Sequence, residues 1–279
     1  MRTSAVVALA GWALVAPVTS RAEPPPTVFL EDLTWTEVRD LMRAGTTTII
    51  LPTGGTEQNG PHMTLGKHNV RVKALSAMIA RALGNTLVAP VLAYVPEGGL
   101  APPTGHMRYP GTITLGETHF EGVLESAARS FALNGFRDIV FLGDSGGNQA
   151  GQQAVARRLN RAWAGTAIRV HAIDAYYQAS TAGASALFRS RGYQDSELGT
   201  HAGALDTSLA LAVDPGLVRQ ERLHATHEPG GWEGANGDPS RASAEIGRAA
   251  VDQIVAQTVE AIRRAVARHA AAAPVGAHP

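Results

Sequence analysis

Short apolar runs alternate along this chain with longer segments whose apolar positions recur every three or four residues, and that alternation predicts strands and helices in turn. Residues 35–43 read as a helix with Thr34 as its N-cap. Residues 46–51 form a β-branched run ending in Pro52-Thr53-Gly54-Gly55, the pattern of a buried strand closed by a turn. A helix over 70–83, closed by Gly84-Asn85, leads to a strand-like segment over 87–95. An amphipathic helix over 117–134 ends at Gly135, before a second buried strand over 138–142, a helix over 149–164 and a third strand over 168–173. Helices over 202–212 and 242–272 follow, with no internal repeat and no second domain. The order predicts a three-layer α/β/α fold around a mostly parallel, open sheet. Ligands of such folds bind outside the carboxyl ends of the strands. The Gly-rich segments after Leu51 and Leu142 occupy that position.

The first residues do not belong to this pattern. Arg2 precedes an apolar stretch over 5–16 interrupted by Gly11, and Ser20-Arg21-Ala22 offers small residues at a cleavage site. About 12 apolar residues fall short of the roughly 20 that span a bilayer. Residues 1–22 therefore read as a cleaved signal peptide and 23–279 as the mature domain, exported to the periplasm or the exterior and not held in a membrane. The chain has no cysteine, which excludes thiolate metal sites and thiol nucleophiles. Lys plus Arg and Asp plus Glu are 24 each, so no net charge points to nucleic acid. A small-molecule substrate fits this balance.

Three segments carry candidate chemistry. The loop from Thr56 to Asn69 holds Glu57, His62 and His68, donors that suit zinc, manganese or iron. His201-Ala202-Gly203 runs through Asp206-Thr207-Ser208 into an apolar helix, where Asp206 is either a functional carboxylate or a cap. Gly143-Asp144-Ser145-Gly146-Gly147-Asn148 satisfies the Gly-x-Ser-x-Gly nucleophile elbow in its strand–turn–helix setting. Ser145 could then be a nucleophile, with backbone amides as oxyanion donors.

Together these motifs resemble the creatininase (creatinine amidohydrolase) family. The resemblance rests on Leu51-Pro52 to Gly66 with its Glu57-Gln58-x-Gly60-Pro61-His62 core, on Tyr109-Pro110-Gly111-Thr112, on the turn from Gly143 to Asn148, on the His201 to Ser208 segment, and on Gly237-Asp238-Pro239. It implies the three-layer fold, a homo-oligomer (frequently a hexamer), and a metal centre, often of two ions, that hydrolyses cyclic or linear amide-type C–N bonds. Residue by residue, Glu57 falls on a family ligand. Asn59 stands where a ligand His is usual, His68 where a bridging Asp is usual, and Ser145 where the glycine turn carries a ligand His. Asp206 takes the acidic position after His-Ala-Gly, and His201 matches a His that assists proton transfer. The set that survives is Glu57, His68 and Asp206, holding one divalent ion, zinc first and manganese or iron otherwise. His201 and Glu57 are the catalytic expectations, and His62, His106 and Trp232 the substrate-binding ones. Two alternatives remain open: a serine hydrolase in which His201 activates Ser145, and a catalytically inactive binding protein on the same fold.

Overall fold

A computed structural model describes residues 27–223 and 234–272 of the chain. The expected signal peptide and Trp232 lie outside those residues. Four parallel strands, β1 (Thr48–Thr53), β2 (Thr86–Val88), β3 (Asp138–Gly143) and β4 (Arg169–Ala172), form a sheet in the order β2-β1-β3-β4. The architecture is the expected α/β class. β1 and β3 pair over their full length, Thr48 with Asp138 through Thr53 with Gly143, and every residue of both is buried. Burial on both faces is why these strands read as continuous apolar runs rather than as alternating ones.

Side chains alternate across a strand, so adjacent residues enter opposite layers. Ile50, Val88, Val140 and Leu142 pack with α2 (Lys67–Leu83), α5 (Asp174–Gln178), α6 (Ala184–Ser190), α8 (Ala204–Val213) and α9 (Ala244–Ala272). Ile49, Leu87, Ile139 and Phe141 pack with α1 (Trp35–Arg43), α3 (Glu117–Leu133) and α4 (Asn148–Ala162). A short helix, α7 (Asp195–Leu198), leads into the segment before α8. Thr34 caps α1 as expected, in a capping box: its backbone N–H donates to Glu37 Oε2 at 2.6 Å, and its hydroxyl accepts from the Glu37 N–H at 3.4 Å.

Two boundaries differ from expectation, and one matters for chemistry. The strand expected over 87–95 shortens to Thr86–Val88, because Pro90 cannot donate to a ladder and pairing resumes only as a bridge between Thr53 and Leu92. The helix expected from Val70 begins at Lys67. Lys67, His68 and Arg71 therefore share its first two turns, and the i, i+4 pair Lys67 and Arg71 lies on one face.

α8 and α9 approach at Gly247, where an added Cβ would lie 2.0 Å from Ser208 O. The offending atom is backbone and cannot swing aside. Gly247→Ala is expected to cost about 2–3 kcal/mol, the scale of overpacking in a well-filled core. Urea unfolding measures it, and a loss below about 0.5 kcal/mol would show that the two helices can separate.

Candidate active site

Loops leaving the carboxyl ends of β1 and β3 meet the segment before α8 at one rim of the sheet, around a cleft of about 1030 Å³. The loop after β1 is held by side chains from elsewhere. Asn148 Nδ2 donates to Gly54 O at 2.9 Å and Thr53 O at 3.2 Å, and Asn69 Oδ1 accepts from the Gly55 N–H at 3.0 Å. Asn59 Nδ2 donates to Glu57 O and Thr64 O, each at 2.9 Å. Asn59 is thus a brace for the turn that presents Glu57.

Glu57 is the centre of the site. Its Oε1 lies 2.8 Å from His68 Nε2 and 3.7 Å from His201 Nδ1, and its Oε2 lies 3.2 Å from His106 Nε2. One carboxylate oxygen and one nitrogen from each of His106 and His201 come within 4.8 Å of one another. Two imidazoles and a carboxylate form a recurring donor set for zinc and for non-haem iron. The imidazoles are oriented from behind. His201 Nε2 donates to Gln58 O at 2.8 Å, which leaves Nδ1 with its lone pair on the Glu57 side. Gln58 Nε2 lies 2.9 Å from His106 Nδ1. Burial, reinforced by the charge of Lys67, holds His201 down to about 4, so it is neutral at pH 7 as a metal ligand must be. The Glu57, His106 and His201 group fits one divalent ion.

His68 and Asp206 are engaged differently from expectation. His68 Nε2 faces Glu57, and Nδ1 faces Asp144 Oδ2 at 2.6 Å. Burial and Lys67 oppose its protonation, but the two carboxylates outweigh them and its pKa is raised. An imidazole with a carboxylate at each nitrogen has no lone pair left for a metal. Asp206 accepts from Lys67 Nζ, from Arg71 Nη1 at 2.6 Å and from the Ala202 N–H at 3.0 Å. Arg71 also grips Asp144, with Nε 2.9 Å and Nη2 2.7 Å from Oδ2, while Tyr176 donates to Asp144 Oδ1 at 2.5 Å. Burial pushes both aspartates up, but Arg71 with His68 at Asp144, and Lys67 with Arg71 at Asp206, hold them below the usual carboxylate range. Among the described residues, the donors that gather for a metal are Glu57, His106 and His201, whereas the sequence pointed to Glu57, His68 and Asp206.

The remaining expectations separate cleanly. His106 lines the cleft, 30% exposed at its side chain. His62 is fully buried and is not among the residues lining the cleft; its Nε2 lies 3.0 Å from Thr207 Oγ1, which ties the loop to α8. Burial lowers it to about 4, as expected of a neutral structural imidazole. Ser145 lines the cleft, but its hydroxyl makes no hydrogen bond among the described residues, to an imidazole or to any other group. The backbone amides of Ser145, Gly146 and Gly147, before α4, likewise have no acceptor there.

Sequence reading missed Glu97, Lys67, Arg71 and Asp144. Glu97 sits between Pro96 and Gly98 with no motif to mark it, yet it lines the cleft and is 6% exposed. Burial first, then its hydrogen bond to Glu57, push it up to about 10. That shift favours the protonated carboxyl at neutral pH, beside a Glu57 whose own pKa is lowered. The stability consequence has a definite sign. A carboxyl raised in the folded state contributes stability that is present below its unfolded value near 4.5 and is lost as pH rises toward 10. In chelator-treated protein, Glu97→Gln should match the wild type near pH 5. At pH 8.5 it should be the more stable by on the order of 2–3 kcal/mol, read as a higher melting temperature. A difference that does not grow with pH would contradict a protonated Glu97.

Comparison with known proteins agrees with the fold. The creatininase model, described as creatinine amidohydrolase, matches residues 31–262. The mycofactocin precursor peptide peptidase of Mycobacterium ulcerans is 28% identical over 241 residues, 77% of this chain and 84% of that protein. The creatinine amidohydrolase of Pseudomonas putida is 28% identical over 209 residues, 72% and 77% of the two chains. A crystal structure of creatininase superposes with a TM-score of 0.70 at 28% identity, covering 86% of this chain and 98% of that one. Similar solved structures include a manganese form and a mutant described as Zn–Zn type, with TM-scores of 0.68 and 0.65 at 27% identity. The fold and the rim site define an α/β hydrolase acting on C–N amide bonds. This chain belongs to the creatininase family of amidohydrolases.

Proposed function

We propose that the protein is an exported, metal-dependent amidohydrolase that cleaves a cyclic or linear C–N amide-type bond of a small molecule, using one divalent ion held by Glu57, His106 and His201. The observation that carries this reading is the convergence of that carboxylate and those two imidazoles at the cleft. Zinc is the first expectation for such donors and manganese or iron the alternatives. When bound, the ion polarises the scissile carbonyl and makes a nucleophile of water at neutral pH.

The chain's own groups supply the rest. His68, charged between Glu57 and Asp144, keeps the Glu57 carboxylate ionised and in place. Glu97 lines the cleft and is held towards its protonated form beside Glu57, so its carboxyl would give its proton to the leaving nitrogen. With His201 in the ligand set, this carboxyl takes over the proton transfer that the family resemblance assigns to His201. The amides of Ser145, Gly146 and Gly147 offer donors for an oxygen that gains negative charge.

Of the relatives named above, one is a precursor peptide peptidase and one a creatinine amidohydrolase, which supports an amide-type substrate here. A panel of lactams, formamides and short peptides is the direct test. Activity should fall at least 100-fold after chelation and return with zinc or manganese, while Ser145→Ala should stay within about five-fold of wild type. Full activity in metal-free protein, lost in Ser145→Ala, would replace this reading with the serine one. Metal binding without turnover of any amide would favour an inactive binder.

Export and assembly are part of the proposal. Cleavage near Ala22 and a homo-oligomer, a hexamer by resemblance, are checked by N-terminal sequencing and light scattering of the exported protein. No helix among the described residues is long and apolar enough to cross a membrane.

A further inference from the structure

We propose that Lys67 and Arg71 stand in, as fixed protein cations, for the second metal ion of a two-ion centre, so that this site takes one divalent ion and no more. The count of one rests on the reading of Glu57, His106 and His201 above; the exclusion of a second ion rests on different residues.

Lys67 and Arg71 lie one turn apart on α2, buried to 1% and 4% exposure, and both line the cleft. Buried cations persist where carboxylates pair with them. Here Asp206 receives Lys67 Nζ and the Ala202 N–H at Oδ2, with Arg71 Nη1 at Oδ1. Asp144 receives Arg71 and His68 at Oδ2, and Tyr176 and Arg71 at Oδ1. Two lysine and arginine charges thus meet two aspartate charges. The carboxylates that would attract another ion are already neutralised and donor-saturated. A dication beside Asp144 and Asp206 would face two buried positive groups, with both of those carboxylates already paired.

The positions where the family resemblance expects further ligands do not compensate. Asn59 spends its amide N–H groups on Glu57 O and Thr64 O, and beyond the paired Asp144 the turn after β3 offers Ser145, Gly146 and Gly147 rather than an imidazole or a second carboxylate. By contrast, a creatininase structure of this fold is described as Zn–Zn type. The exchange replaces a dissociable charge with a covalently tethered one. Catalysis should then saturate at one equivalent of metal and show no second, weaker activation phase.

The test is metal stoichiometry of the mature protein, residues 23–279. Wild type and Lys67→Glu are loaded with excess zinc or manganese, desalted, and measured by elemental analysis and calorimetric titration. One ion per chain in the wild type and two in Lys67→Glu is the expected result, since the substitution uncovers Asp206 and adds a carboxylate. Two ions in the wild type, or no gain in a folded Lys67→Glu, would overturn the inference. None in the wild type but one in Lys67→Glu would uphold it while removing the metal reading of Glu57, His106 and His201. Should Lys67→Glu not fold, the wild-type count decides, one supporting and two opposing.

Discussion

Arg71→Met is expected to destabilise the fold by about 3–5 kcal/mol at pH 7, the scale of removing one partner from a buried ion pair. Methionine keeps most of the volume, so the loss reports charge rather than a cavity. Arg71 is the joint between Asp144, at the end of β3, and Asp206, on α8. Without it, Asp144 keeps only His68 and Tyr176, and Asp206 keeps Lys67 and the Ala202 amide. In the wild type both aspartates are depressed, so their contribution is present above the unfolded carboxylate range and is lost as pH falls through the folded values. In the variant their folded values move upward, and the deficit should shrink between pH 7 and pH 4.5 as the carboxylates protonate. Urea unfolding at both values reads it. A deficit under 1 kcal/mol at pH 7, or one independent of pH, would mean that Arg71 is solvated and the network is not what holds this rim together.

Glu57→Gln should lower kcat/KM by about 1000-fold or more and reduce metal affinity in parallel, a loss of roughly 4 kcal/mol in transition-state stabilisation. Glu57 supplies the sole carboxylate of the candidate ligand set and also faces His68. The amide keeps the shape and removes the charge. Asp206→Asn is the informative contrast: it should weaken folding, because Lys67 and Arg71 lose their partner, yet leave the metal content near that of the wild type. If Asp206→Asn strips the metal while Glu57→Gln retains it, the ligand assignment is reversed. Elemental analysis and unfolding curves on the same preparations distinguish the two.

Much of this site was legible in the chain because it depends on local pattern. The segments after Leu51 and Leu142 had to lie at one rim once parallel strands were established, and the structure brings Glu57, His68, Ser145, His201 and Asp206 to one cleft there. The departures from the family pattern at Asn59, His68 and Ser145 were also visible there, and they argued against a complete two-ion ligand set. The fate of the vacated charge was not visible. Lys67 and Arg71 look like ordinary helix cations, and nothing nearby in sequence says that their partners lie 139 and 135 residues away at Asp206. Glu97, between a proline and a glycine, carries no periodic or motif signal. Its raised pKa is a consequence of burial beside Glu57, which only packing creates.

Periodicity, turn chemistry and motif spacing therefore determined the layer architecture, the rim that holds the candidate site and the family resemblance, since each acts over a few residues or through strand direction. Tertiary structure decided which nitrogen faces which oxygen. His68 became a charged strut between two carboxylates and His106 joined the candidate metal donors, because the choice among partners is made by distance and desolvation after the layers have closed.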